Sequence, residues 1–403
     1  MFKKPKSKLN INFCGVEFEN PFILAAAPPT DKLDMVREGF KAGWAGAVLK
    51  TTSKEATPVR ITYPIIQGLD FEGRRVSSLA NIDLISEYHI DEIEKRVISL
   101  KKEFPTKRVI VSITGQDEAS WKELARRASE SGADMVECSF SCPQGTIGLK
   151  PGAMLAQDAA LSAKVASWVK EGARKTPVVI KLTPLVNDIA EIAMAVCDAG
   201  ADAVCVGNSF PSLIGIDINN FIPFPNIGGK STYSGLSGTA IKPVSLRCIA
   251  EVAKAGIAIS GSGGPVTWRD AVEFMLAGAS VVQFCTAVMR HGYDIIEDLI
   301  EGLHDYLDEK GISSPSKLVG RSCDKIVLHD ELPFIDDVRS RVDLDLCVRC
   351  EMCHIVCRDG AHQAITINPD RTPKVDDEKC VGCGLCASIC PVENCITMRK
   401  KNG

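Results

Sequence analysis

The stretch whose residue types could do chemistry is Glu137-Cys-Ser-Phe-Ser-Cys-Pro-Gln144. Its leading part, Met135 to Phe140, is short and mostly apolar, with glycine ahead of it and proline behind. That pattern reads as a buried parallel strand opening into a loop. Cys142 then stands just past the C-terminal end of the strand, the face on which barrel enzymes keep their catalytic groups. Cysteine is also a common inert packing residue, and the strand alone leaves both readings open.

A second chemistry is carried by the 17 cysteines of this 403-residue chain, nine of which fall between Cys347 and Cys395. The run Cys347-x2-Cys350-x2-Cys353-x3-Cys357 is followed by Cys380-x2-Cys383-x2-Cys386-x3-Cys390-Pro391. In this two-cluster pattern three thiolates of each run bind one cluster and the fourth crosses to the other. Cys347, Cys350, Cys353 and Cys390 are therefore expected to hold one [4Fe–4S] cluster, and Cys380, Cys383, Cys386 and Cys357 the second. Zinc also takes four thiolates per site, but it does not need this triple-plus-one spacing twice. Arg358 stands where proline follows the second run, a local change of turn, and Cys395 is a ninth thiol suited to packing.

A third group of residues could hold an anion. Ser262-Gly263-Gly264 and Cys285-Thr286 fall near the ends of the last two apolar segments of the large domain. Glycine-rich backbone after strands 7 and 8 is the usual phosphate site of a barrel. Lys50 and Lys181 each finish an apolar segment. A lysine there faces an anion or electron-rich ring, or is simply a solvated strand end.

These residues need a scaffold, and the chain shows a repeat that supplies one. A helix ending in glycine and followed at once by an apolar strand occurs at residues 42–50, 131–139, 199–207 and 277–285. Glycine past a helix end adopts the left-handed conformation that stops the helix. Four more candidate strands lie at 22–27, 108–114, 177–183 and 257–261, with helical patterns between. Eight alternating units over about 290 residues fit a (β/α)8 TIM barrel better than a doubly wound sheet. The open sheet would carry phosphate glycines after its first strand, and Ala25-Ala-Ala-Pro-Pro29 has none.

The expected organisation is an α/β chain: a barrel at residues 1–310, preceded by a small hairpin about Cys14-Gly15, a linker at 311–342, and a small α+β two-cluster ferredoxin domain at 343–403. Connections from Thr52 to Pro105 and from Phe210 to about Gly238 are too long for simple loops and should overhang the catalytic face. A net charge of −4 argues against nucleic acid or an anionic membrane as partner. The basic start, with no apolar segment after it, is not a signal peptide, so the chain is expected in the cytoplasm. No nucleotide fingerprint is present, since Gly261-Ser-Gly-Gly264 has the wrong spacing and position. A phosphate site, cationic groups and two clusters together suggest flavin mononucleotide, which converts single electrons into hydride transfer.

The barrel resembles the dihydroorotate and dihydropyrimidine dehydrogenases, and the whole chain resembles bacterial dihydropyrimidine dehydrogenases that fuse such a barrel to a ferredoxin. The matching stretches are Leu49-Lys-Thr51, Asn81-Ile-Asp83, Phe140-Ser-Cys-Pro-Gln144, Lys181-Leu-Thr-Pro184 and Asn208-Ser209. Further matches are Thr232 to Ile241, Ser262-Gly-Gly264 and the eight cysteines. The resemblance implies FMN held by Ala26, Lys50, Thr51, Asn81, Lys181, Asn208, Gly235, Gly263, Gly264, Cys285 and Thr286. It implies substrate contacts from Asn81, Asp83, Ser139, Ser141, Asn208 and Ser209, with Cys142 exchanging a proton with the substrate. The family has asparagine where this chain has Ser139, glutamate where it has Asp83, and more usually threonine where it has Ser209. Serine offers one hydroxyl on a shorter arm than an amide.

The implied activity is reduction of a polarised C=C bond, with uracil or thymine as leading substrates, hydride passing to one carbon while Cys142 protonates the next. Electrons would arrive from a ferredoxin or from an FAD- and NAD(P)H-binding subunit, making a hetero-oligomer. The alternatives are the same chemistry on another cyclic or conjugated carbonyl compound, a plain dihydroorotate dehydrogenase, and a non-enzymatic electron carrier.

Overall fold

The computed structural model describes residues 7–54, 63–71, 74–140 and 155–401. The chain divides into two units, residues 1–326 and 327–403.

In the first unit eight parallel strands close into a barrel. They are β1 (Phe22–Leu24), β2 (Gly46–Thr52), β3 (Arg108–Ile113) and β4 (Met135–Ser139), then β5 (Val178–Leu182), β6 (Ala203–Val206), β7 (Ile259–Gly261) and β8 (Ala279–Phe284). All eight fall on segments expected from the sequence. The reason is local: each is a short, mostly apolar run buried on both faces, as strands covered by helices must be. The helices Leu33–Ala42 and Trp268–Ala277 end at Gly43 and Gly278, with φ of 125° and 128°. The helices Glu118–Glu130, Ala159–Ala173, Ile189–Asp198 and Trp268–Ala277 start as sharply: Asp117, Asp158, Asp188 and Thr267 respectively accept a backbone N–H of the first turn.

The hairpin Ile11–Phe13 and Val16–Phe18 buries Phe13 and Phe18 and meets the N-terminal ends of the strands, where Cys14 Sγ donates to Asp202 O and Arg108 Nε to Glu17 O. The two long connections do something the sequence does not show. Their strands Ile66–Phe71 and Arg74–Asn81, from the first, join Phe210–Ser212 and Ser234–Gly238, from the second, in one four-stranded antiparallel sheet. The first connection also contains the ordinary barrel helix Ile90–Glu103, so only part of it can overhang the face.

Residues 311–326, expected as linker, lie along the barrel, with Gly320 N donating to Met275 O and Ser322 N to Leu276 O. In the second unit Val338–Val342 pairs antiparallel with Ile396–Lys400, and Ile365–Ile367 with Pro373–Val375, around helices Met352–Gly360 and Leu385–Ile389. The pairing of Val338–Val342 places this strand inside the small unit, ahead of the boundary expected at 343, because the C-terminal strand needs a partner for its backbone groups. Among the described residues no helix is long and apolar enough to cross a membrane.

Candidate active site

The C-terminal ends of the strands frame a cleft of about 1330 Å³ that includes its open mouth. Ala25 to Pro28 after β1, the end of β2, Ser139 at the end of β4, Lys181 on β5 and Asn208 after β6 form part of its wall. Residues 262–265 after β7 and Cys285, Thr286 and Met289 after β8 complete that side, and Ile66, Leu79, Ser237 and Gly238 of the four-stranded sheet form another.

Both lysines expected to serve the site face this cleft, and neither is a solvated strand end: Lys50 is 6% exposed and Lys181 7%. Lys50 Nζ lies 3.1 Å from Asp83 Oδ1 and 3.8 Å from Asp31 Oδ2, while Asp31 Oδ1 accepts from Ser86 Oγ. Lys181 Nζ lies 3.8 Å from Glu137 Oε1 and 3.4 Å from Gln283 Oε1. Gln283 Nε2 donates to Glu137 Oε2 at 2.7 Å and to Ser260 Oγ at 3.1 Å. Burial opposes the charge on Lys181, but Cys205 and Glu137 outweigh it and hold the ammonium above the ordinary lysine value. Burial likewise pushes the Cys285 thiol up to about 11, with Lys181 opposing and Asp83 adding to the rise, so Cys285 is a neutral thiol near pH 7.

The glycines after β7 are shaped for close approach. Gly263 and Gly264 have φ of 95° and 105°, and a Cβ on Gly264 would sit 2.8 Å from Gly238 O. Gly207, just after β6, has φ of 107°, and a Cβ there would fall 2.0 Å from Ser262 O. Side chains at either place would force this end of the cleft apart. Thr286 Oγ1, beside these glycines on the cleft wall, donates to Ser237 Oγ, and Thr51 Oγ1 bonds to Ser112 Oγ.

Of the residues expected to read the substrate, Asn81, Asp83, Ser139, Asn208 and Ser209 all line the cleft. Asn81 Nδ2 donates to Gly235 O, and Asn208 Oδ1 accepts from Ser209 N. Gly235 stands behind Asn81, where its missing Cβ leaves room for Ser209 Oγ. Asp83 is committed to Lys50 as well as open to a ligand. Ser141 and Cys142 lie outside the described residues.

In the small unit two separate cavities hold the thiols. One is lined by Cys357, Cys380, Cys383 and Cys386, the other by Cys347, Cys350, Cys353 and Cys390, with Cys395 beside them. Each cavity thus takes three thiols from one cysteine run and one from the other, the grouping that the spacing implies.

Comparison with known proteins accounts for both units. The family described as dihydroorotate dehydrogenase matches residues 8–307. The chain belongs to the dihydroorotate dehydrogenase family. A 4Fe-4S dicluster domain matches residues 340–398. The chain is 40% identical over 399 residues to the NAD-dependent dihydropyrimidine dehydrogenase subunit PreA of Escherichia coli K12, covering 97% of this chain and 95% of that one. It is 32% identical over 337 residues to the chloroplastic dihydropyrimidine dehydrogenase (NADP(+)) of Arabidopsis thaliana, covering 80% of this chain and 79% of that one. It is 34% identical over 327 residues to the catalytic subunit of dihydroorotate dehydrogenase B (NAD(+)) of Thermococcus kodakarensis, covering 78% of this chain and 98% of that one.

As a dihydroorotate dehydrogenase family member with a dicluster domain, the chain is an oxidoreductase of CH–CH bonds that carries FMN in the barrel and [4Fe–4S] clusters in the small unit. The cleft fits the flavin. A buried cation can face its electron-rich ring, and the crowded glycine backbone after β7 admits a phosphate where no Cβ could stand.

The sequence pattern assigns no role to Glu137, which only opens the stretch ending at Gln144, and none to Gln283 or Asp31. A period-two signal was available for Glu137, two residues before Ser139 on the same face of β4. Nothing local marks Gln283 or Asp31, whose partners come from other strands and loops.

Proposed function

We propose that this chain is the catalytic subunit of a dihydropyrimidine dehydrogenase that reversibly reduces the 5,6 double bond of uracil or thymine. The observation that carries the reading is the end-to-end match to a dihydropyrimidine dehydrogenase subunit that includes both the barrel and the dicluster domain. The dihydroorotate dehydrogenase relative is matched almost whole by 78% of this chain, which leaves the remainder without a counterpart there.

Bound FMN supplies the conversion between single electrons and a hydride. Lys181, kept charged by Glu137, would hold the flavin ring by its electron-rich edge, and Gly263, Gly264 and Thr286 would hold its phosphate. Lys50, pinned by Asp83 and Asp31, would fix the part of the cleft shared by cofactor and substrate. Asn81, Asn208, Ser139 and Ser209 would pair with the polar edges of a pyrimidine. Cys142 would give a proton to the carbon next to the one that receives the hydride, help worth about 10²–10⁴ in rate. Electrons would enter through the two clusters from an FAD- and NAD-binding partner subunit, in a cytoplasmic hetero-oligomer.

The test is anaerobic turnover by the purified chain with a chemical reductant, using uracil, thymine, orotate and a non-pyrimidine enone. Formation of dihydrouracil or dihydrothymine ahead of the others is expected. Preference for orotate or for the enone would replace the pyrimidine reading with one of the rivals. NADH alone should not reduce the chain until the partner is added, and direct rapid reduction by NADH would refute the division of labour.

A further inference from the structure

The two halves of the small unit are related by a shift of 33 residues that carries Cys347 onto Cys380 and Cys357 onto Cys390. The same shift carries Ser340 onto Pro373, each seven residues ahead of the first cysteine of its run. Each of these two residues lines the cavity filled mainly by the other run's thiols: Ser340 the cavity of Cys380, Cys383, Cys386 and Cys357, and Pro373 that of Cys347, Cys350, Cys353 and Cys390. Equivalent in place, they are opposite in chemistry.

Ser340 is 1% exposed and points both of its donors at sulfur. Its N–H donates to Cys380 Sγ at 3.4 Å, and its hydroxyl lies 3.3 Å from Cys386 Sγ. A cysteine that ligates iron carries no proton, so in that bond the hydroxyl must be the donor. Pro373 has no N–H and no hydroxyl, and gives the other cavity neither bond.

The difference falls on the cavity that needs it more. In the cavity that Ser340 lines, Cys357, Cys380 and Cys386 are buried and Cys383 is exposed. In the other only Cys353 is buried, Cys347 and Cys390 being partly exposed and Cys350 exposed. Taking up one electron adds a negative charge to a cluster. Enclosure away from water penalises that charge, and hydrogen bonds to the sulfurs favour it. We propose that Ser340 sets the reduction potential of the more enclosed cluster, raising it so that this cluster remains reducible, and that the Ser340/Pro373 difference sets how the two clusters share electrons. The proposal rests on the grouping of cluster ligands described above.

The test is an EPR-monitored redox titration of the full chain with its clusters, which reads potentials independently of turnover. Ser340→Ala, with iron content near that of the parent, should move one midpoint to more negative values and leave the other in place. The expected size is about a tenfold change in that cluster's reduced-to-oxidised ratio, roughly 59 mV for one electron. Ser340→Thr keeps the hydroxyl and should return the midpoint toward the parent value, which a purely structural role would not require. Pro373→Ser should move the other midpoint in the positive direction, and it keeps the idea testable should Ser340→Ala fail to assemble. Unmoved midpoints in an iron-replete Ser340→Ala, or both variants moving the same midpoint, would overturn the role of Ser340. A parent protein with iron far below eight per chain and no paired cluster signals would instead overturn the ligand grouping itself.

Discussion

Lys181, which lines the cleft, and Glu137 form an ion pair, 3.8 Å apart on neighbouring strands β5 and β4, with side-chain exposures of 9% and 1%. Glu137 Oε1 has no hydrogen-bond partner, while Oε2 is held by Gln283. The carboxylate is thus fixed by one oxygen and leaves the other facing the ammonium. Removing one member of a buried pair leaves an uncompensated charge, which costs about 3–5 kcal/mol. Glu137→Leu should destabilise the barrel by that amount in urea titrations followed by tryptophan fluorescence. Adding Lys181→Met should recover most of the loss while FMN binding stays impaired. A stable single variant would show that the pair is not ionised in the flavin-free protein.

The crowded backbone after β7 makes a second prediction. Gly264→Ala must place a Cβ 2.8 Å from Gly238 O at a φ of 105°. Such strain costs on the order of 1–3 kcal/mol, and it is applied at the proposed phosphate site. FMN affinity should fall by roughly 5- to 150-fold by that figure, read by flavin fluorescence on dilution. The clusters, in a separate unit, should keep their full iron. Unchanged flavin affinity would remove Gly264 from the phosphate site.

Cys142→Ala should leave FMN and clusters bound and the flavin reducible, yet slow product formation by about 10²–10⁴. Its neighbours make a control. Cys138 on β4 is wholly buried, and burial, with Glu137 adding to it, drives its thiol well above the ordinary value. Alkylation of native protein should therefore spare Cys138. Turnover of Cys142→Ala within a few-fold of the parent would mean that the proton comes from elsewhere.

Ser139 lines the cleft at the end of β4, so it can reach a bound ring but with a single hydroxyl. A buried polar group of the ring left without its partner loses roughly 1–3 kcal/mol. Ser139→Asn should raise kcat/KM for uracil by up to about that factor. Asp83→Glu is different because Asp83 also holds Lys50 at 3.1 Å. The longer arm should disturb Lys50 unless Asp31 takes over, and the double variant should gain less than Ser139→Asn alone. A large drop in uracil turnover on Ser139→Asn would show a cleft fitted to a different ring.

The barrel strands and both cysteine runs could be read from the chain because their causes are local. An apolar run after a helix-stopping glycine is a strand wherever the sheet closes, and thiols at two-residue intervals meet one cluster through a single turn of chain. Lys50 and Lys181 could be placed at strand ends for the same reason. What they face could not. Gln283 lies 102 residues from Lys181, and Asp83 lies 33 from Lys50. Those neighbours are chosen by how far each strand is displaced along the next when the barrel closes, a quantity that no stretch of sequence carries. The same holds for the sheet that joins 66–81 to 210–238, and for Ser340, whose sulfur partners follow it by 40 and 46 residues. Closure of the sheet and crossing of the small unit's halves bring these side chains together, because packing acts between surfaces while sequence patterns record only which surface each residue is on.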